Sequence, residues 1–282
     1  MKVLITGRNG LLGSFLSDRL DKDGIECCGL DRAEFLKLSP DGKVQFLRSY
    51  DVVVHAAAST NVEKNELFAA EAYRDNVGLT LALALAVSDA ECRLIFISST
   101  GVYGNSNAGL PHLETAAIAP TTVHHRCKAV AESVCRDIVK DCVILRVGWL
   151  FGPASFKGGG FLGTICREAR VCELNKVTLK SNLTQIGSPT SIFDVISVIV
   201  LLFESQLLGT YNLVSGGVVS RLEYVRQICE ANNFNVRVEG VEREYFKRVA
   251  PVAQNEGADA SLLLGLMQIE FDNWQDSLAD LC

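Results

Sequence analysis

The sequence predicts an α/β chain in which a doubly wound parallel sheet carries a smaller C-terminal lobe. Three observations predict it. Short runs rich in Val, Ile and Leu alternate with helical patterns through the first half of the chain. These runs are apolar without interruption, as strands covered on both faces are. A glycine-rich stretch, TGRNGLLG (6–13), stands at the first strand-to-helix junction.

Taken in order, KVLIT (2–6) is the first strand, and a helix is expected from about 11 to 22. IECCGL (25–30) and DVVVHAA (51–57) give the next strands, and a helix is expected from about 66 to 87. RLIFISS (93–99), a helix from about 124 to 139 and CVILRVG (142–148) continue the βαβ series. Ligands of such sheets sit outside the carboxyl ends of the strands. After Gly152 the rhythm changes to a loop, GPASFKGGG, then a helix near 161–170 and a VTLK run. QIGSPT, a helical 192–205 and a last strand TYNLV (210–214) follow.

Glycines 7, 10 and 13 permit a tight turn, close approach of backbone N–H groups to a pyrophosphate and close packing of helix on strand. Arg8, Asn9, Leu11 and Leu12 complete this loop, and its other reading is an ordinary strand-to-helix turn. The second strand ends at Asp31-Arg32, where an acidic residue would meet the adenosine ribose. Asp31 favours NAD, whereas Arg32 and Arg8 could pair with the extra phosphate of NADP, and the balance leans to NADP. The expected division is a dinucleotide-binding, Rossmann-type domain over 1–152 plus about 187–216. About 153–186 and 217–282 form an interwoven lobe.

With 282 residues, 48% of them hydrophobic, the chain can bury a sizeable core. A net charge of −6 gives no general attraction to nucleic acid or an anionic membrane. The ten cysteines form no CxxC pair and no regular spacing with histidine, so no metal is expected. The longest apolar run, near 195–203, is too short to span a bilayer. No leader precedes the first strand pattern, so a cytoplasmic location with mostly reduced thiols is expected.

TGRNGLLG, HAAAST and ISSTGVYG together resemble the extended short-chain dehydrogenase/reductase superfamily. RVGWLFGP (146–153), QIGSPTSIFDV (185–195), GTYNLVSGGVVSRLEYVRQI (209–228) and NWQDSLADL narrow the resemblance to the dTDP-4-dehydrorhamnose reductase branch. The resemblance implies a nucleotide domain, a substrate lobe that closes over a nucleotide-sugar, and reduction of a 4-keto-6-deoxysugar by NADP or NAD. It assigns the carbonyl-polarising hydroxyl to Ser99 and the ribose-binding lysine to Lys128. Ala56, Ala57, Ala58 and Asn76 would line the cofactor. Thr100, Val102, Tyr103, Trp149, Gln185, Pro189 and Thr190 would face the substrate.

Three departures stand against that pattern. In PTTVHHRCKAVAE, the frame set by Pro120, Lys128 and Glu132 puts His124 where the resemblance implies the catalytic tyrosine. Lys128 lies one helical turn away on the same face, and its charge should depress an imidazole and leave His124 mostly neutral. Tyr103 is the nearest other phenol, although its position suits an aromatic packed under the loop. His55 replaces an asparagine, as a cofactor contact or a core histidine. VAPVAQ replaces an Arg-Pro pair near 249–253, with Lys157, Lys180 and Arg221 as candidates to substitute.

Three functions are therefore expected to compete. The first is nucleotide-sugar reduction using Ser99, Lys128 and His124 or a water. The second is a non-catalytic NAD(P)-binding regulatory subunit, since the branch is similar to the regulatory subunit of methionine adenosyltransferase. The third is an epimerase or dehydratase. The sequence is compatible with a homodimer and does not require one.

Overall fold

The structure, a computed structural model, describes residues 1–106, 110–156 and 160–278. β1 (Lys2–Thr6), with Val3, Leu4 and Ile5 fully buried, turns through the glycine loop into α1 (Leu11–Lys22). β2 (Glu26–Gly29) precedes two short helices that periodicity does not reveal, α2 (Arg32–Lys37) and α3 (Pro40–Leu47). Asp31 and Ser39 start them by accepting N–H bonds from Glu34 and Gly42. β3 (Val52–His55) is buried throughout.

The single helix expected over about 66–87 is instead α4 (Val62–Leu67), α5 (Ala69–Tyr73) and α6 (Leu79–Ala90), with a π-helical turn over Arg74–Gly78. Phe68 breaks the first junction by leaving helical backbone, at φ −123° and ψ 58°. The π-turn inserts one residue while keeping a near-helical path, so a hydrophobic stripe does not register it. β4 (Arg93–Ser99) ends in a 3₁₀ turn, Thr100–Tyr103. α7 (Val123–Ile138), capped by the Thr122 hydroxyl, leads to β5 (Cys142–Val147).

Beyond β5 lie β6 (Trp149–Phe151), α8 (Gly160–Asn175), β7 (Leu179–Asn182), β8 (Ile186–Gly187) and β9 (Pro189–Ser191). α9 (Ile192–Leu202) and β10 (Gly209–Leu213) follow. β11 (Val219–Ser220), α10 (Arg221–Ala231), β12 (Val238–Val241), β13 (Asn255–Glu256) and α11 (Ser261–Met267) complete the chain.

The central sheet has six parallel strands in the order β10-β5-β4-β3-β1-β2. Leu12, Leu16 and Leu20 of α1 pack with α9 against one face, and α6 and α7 cover the other. A separate apolar cluster joins Phe151, α8, β7, α10 and Trp274. Strand order reverses between β1 and β3, which opens a crevice at their carboxyl ends. Among the described residues no helix is long and apolar enough to cross a membrane.

One buried charge pair ties α7 to the sheet. Arg146 on β5 donates to the Glu132 carboxylate of α7 from Nε at 3.0 and 3.2 Å and from Nη2 at 2.6 Å. The Ser98 hydroxyl of β4 donates to the same carboxylate at 2.5 Å. Arg146 Nη1 also donates to the Tyr103 oxygen at 2.9 Å, and that hydroxyl donates to Asn212 of β10 at 2.7 Å.

Removing one partner leaves a buried charge uncompensated. Arg146→Met is therefore expected to lower unfolding free energy by about 3–5 kcal/mol in denaturant titrations. Adding Glu132→Leu to that variant should recover a large part of the loss.

Candidate active site

The crevice at the switch point is a cleft of about 500 Å³. Gly7, Gly10, Leu11, Leu12 and Gly13 form one wall, Ala56, Ala57 and Ala58 another, and Ser99, His124 and Lys128 lie in it. Gly7 has φ +74°, and a Cβ there would sit 2.9 Å from the Ala57 backbone. A Cβ on Gly13 would sit 2.2 Å from the Gly7 carbonyl oxygen. No side chain caps the first turn of α1, which opens into this cleft. Uncapped N–H groups and glycine at three positions of the wall, where a Cβ would crowd the backbone, suit the close approach of a pyrophosphate, so these residues fit a dinucleotide.

Other expected cofactor contacts do not line the cleft. Arg8 donates to the Ser17 hydroxyl at 2.9 Å, and Asn9 is exposed. Asp31 is occupied as the cap of α2, and Arg32 donates to Asp75 at 2.6 Å. Asn76, on the π-turn, is turned inward: its amide oxygen accepts the Ser59 N–H at 2.7 Å. It positions the backbone beside the cleft and does not face it.

Ser99 ends β4, and its Oγ accepts the Gly101 N–H at 3.2 Å, which leaves the hydroxyl proton available to a ligand. Lys128 Nζ donates to the Ile97 carbonyl at 2.6 Å and lies 4.8 Å from the centre of the Phe96 ring. Burial pushes the ammonium down to about 8. His124 Nδ1 lies 3.1 Å from the Ser59 carbonyl. Burial, then the adjacent His125 and Lys128, push its imidazole down to about 3.

His55 resolves as a core histidine. The Thr80 hydroxyl donates to the Asn76 carbonyl at 2.6 Å, so it accepts from His55 Nε2 at 2.9 Å. His55 Nδ1 then accepts from Thr6 at 2.7 Å, and the Thr6 oxygen accepts the Ala57 N–H at 3.0 Å. Burial, and secondarily Lys128, push His55 down to about 3. It holds the Ala57 wall from behind. His125 is buried too, with Nδ1 3.1 Å from the Thr122 hydroxyl. Burial and Lys128 push it down to about 4. Its ring fills the space over Gly101, where a Cβ would sit 2.2 Å from Cε1.

A second cavity of about 510 Å³ adjoins the first through Leu150. It contains Trp149 and Gln185, as expected, together with Lys180, Arg221 and Arg248. The Arg221 guanidinium lies 3.3 Å from the centre of the Trp149 ring and 4.5 Å from that of Phe161. Trp149 Nε1 donates to the buried Glu256 at 2.6 Å. Lys180 is paired with Glu239 at 2.8 Å, and Lys157 lies outside the described residues.

The remaining substrate-facing expectations need correction. Thr100, Val102 and Tyr103 are buried, because the 3₁₀ turn directs them into the protein. Tyr103 Oη is held by Arg146 and Asn212, which also removes it as a proton donor to the cleft. Pro189 and Thr190 are buried on β9, and the Thr190 hydroxyl donates to the Ser188 carbonyl at 3.1 Å. Sequence reading missed Arg248 and the Ser59 carbonyl. Arg248 stands beside VAPVAQ and could have been proposed from its charge, whereas a backbone carbonyl leaves no sequence signal.

A family model described as the RmlD substrate binding domain matches residues 1–282. The chain belongs to this family. Its RmlD-type sequence is 31% identical over 211 residues to dTDP-4-dehydrorhamnose reductase of Aggregatibacter actinomycetemcomitans, covering 74% of this chain and 69% of that protein. Against dTDP-4-dehydrorhamnose reductase of Mycobacterium tuberculosis the identity is 27% over 285 residues, covering 99% and 91%. The crystal structure of dTDP-4-dehydrorhamnose reductase from Bacillus anthracis in complex with NADP shares the fold, with a TM-score of 0.88 at 24% identity over 99% of this chain and 98% of that one.

The buried imidazoles make this RmlD-family protein sensitive to acid. On unfolding, His55, His124 and His125 regain a pKa near 6.5, while the folded rings stay neutral down to about 3 to 4. Below pH 6.5 the unfolded chain thus binds more protons, and stability falls as pH falls until the folded rings also protonate. Each histidine is expected to remove about 1–2 kcal/mol between pH 7 and pH 5, read from urea midpoints at the two pH values.

Proposed function

We propose that this chain reduces the 4-keto group of a nucleotide-linked 4-keto-6-deoxysugar with NADPH or NADH. The observation that carries the proposal is the meeting of the glycine loop, Ser99 and Lys128 in one cleft, beside a cavity lined by Trp149 and Arg221. The activity named for the relatives and the NADP in the Bacillus anthracis structure agree with it.

When bound, the nicotinamide supplies hydride to the ketone carbon. Ser99 donates its hydroxyl proton as a hydrogen bond to the ketone oxygen and stabilises the charge that grows there. Lys128, anchored by Ile97 at 2.6 Å, would hold the nicotinamide ribose with its remaining N–H donors. Arg221, pushed down to about 10 by burial yet still cationic at neutral pH, meets the sugar-nucleotide diphosphate; Arg248 lines the same cavity, with its Nε already donated to Glu63 at 2.7 Å. The elements around this second cavity form the substrate lobe.

A non-catalytic dinucleotide-binding subunit is the second reading. It draws on one observation, that His124 is held neutral where the family resemblance implies a tyrosine. The two are separated by incubating the protein with NADPH or NADH and a dTDP-4-keto-6-deoxyhexose and following the absorbance of the reduced nicotinamide. Turnover supports the reductase; cofactor binding without turnover on such ketosugars supports the subunit. For the reductase, Ser99→Ala is expected to lower kcat by about 10²–10³-fold with cofactor affinity little changed.

A further inference from the structure

Hydride addition leaves an alkoxide that needs one proton, and the cleft limits where it can come from. Among the described residues, the titratable groups lining the cleft are His124 and Lys128. His124 Nδ1 lies 3.1 Å from the Ser59 carbonyl, which only accepts, and 3.4 Å from the Asn65 amide nitrogen, which only donates. Asn65 already donates to Ser59 at 2.7 Å, so the shorter contact decides, the His124 proton sits on Nδ1 and Nε2 is bare. To act as an acid at Nε2, His124 must carry a second proton, which its buried position between His125 and Lys128 opposes. As a relay it also ends blindly, because a proton entering at Nε2 would have to leave from Nδ1 onto a carbonyl that cannot keep it.

Lys128 has neither defect. One N–H is spent on Ile97, and the ammonium stands in the cleft with Ser99. The groups that face it electrically are His55 from β3 and His124, His125, Cys127, Glu132 and Cys135 from its own helix. The three histidines are neutral, burial raises the Cys127 thiol, the hydrogen bond with Cys142 and then burial raise the Cys135 thiol, and Glu132 is claimed by Arg146 and Ser98.

We infer that Lys128 is itself the proton donor of this chain, a catalytic acid as well as a ribose ligand. The inference rests on the reduction proposed above. Hydride forms the new C–H bond as the C=O π pair moves to oxygen, and the dihydronicotinamide is oxidised. The alkoxide takes a proton from Lys128 Nζ, and the neutral amine regains one from water between turnovers. A buried ammonium near 8 is well matched to this task, since a general acid works best with a pKa near the working pH.

Two measurements test it. The first follows kcat against pH: wild type should lose activity above about pH 8, and His124→Ala should keep that limb. Lys128→Arg keeps the charge but is no acid in this range; measured at saturating NADPH, it should lower kcat by about 10²–10⁴-fold. Adding His124→Tyr to Lys128→Arg supplies a phenol beside a cation and should restore turnover. Full activity of Lys128→Arg, or loss of the alkaline limb in His124→Ala, would overturn the inference.

The second measurement needs no substrate. In protein labelled with ¹⁵N-lysine and saturated with NADP⁺, the Lys128 side-chain nitrogen, assigned by its absence in Lys128→Arg, should titrate near 8. A midpoint at the ordinary lysine value of about 10.4 would overturn the inference even in an active reductase. Absence of turnover in wild type would instead sink the reductase reading.

Discussion

The cleft depends on a carboxylate and a guanidinium buried beneath it. Glu132, Lys128 and His124 follow at four-residue intervals on one face of α7, so whatever fixes Glu132 fixes the other two. Arg146 grips that carboxylate through two nitrogens, and Ser98 adds a third donor from the neighbouring strand. Such a pair is weak evidence for net stability, because desolvation opposes it. Its value lies in geometry. It links α7, β4, β5 and, through Tyr103 and Asn212, β10 into one hydrogen-bonded unit.

Neutral imidazole is the second constraint. His55 is a donor on one edge and an acceptor on the other, and threonine hydroxyls orient both edges. That gives a directed chain from the Ala57 N–H to the Asn76 carbonyl with every member satisfied. His124 spends its one proton on the Ser59 carbonyl, to which Asn65 also donates, at 2.7 Å. Both rings support walls of the cleft because their charged forms are excluded by burial and by Lys128.

Much of this was legible in the residues. Uninterrupted apolar strands and the glycine loop specify the sheet and its crevice, and the helical frame from Pro120 to Glu132 puts His124 and Lys128 on the cleft side of α7. What stayed hidden depends on partners distant in sequence or on backbone atoms. Arg32 looked available to a phosphate, and only the folded chain brings Asp75 to it. Tyr103 has both a substrate-facing and a packed reading in the sequence, and the folded chain gives the packed one; proximity to Ser99 in sequence does not say which way a 3₁₀ turn faces. Val102 and Thr190 were misread for the same reason: a motif records that a residue matters, not whether it faces ligand or core.

The packing of His125 over Gly101 couples the helix to the turn after Ser99 in a way that neither residue discloses alone. Gly101 takes no unusual backbone angle; it is required because an imidazole occupies its side-chain space. The two positions therefore form a single unit of variation. A larger residue at 101 is barred while the ring is present, and removing the ring first opens a void beside the catalytic strand. Lineages could cross between this arrangement and its size-reversed counterpart only through a destabilised intermediate, so the pair should be inherited together, and attempts to remodel the site one residue at a time should stall there.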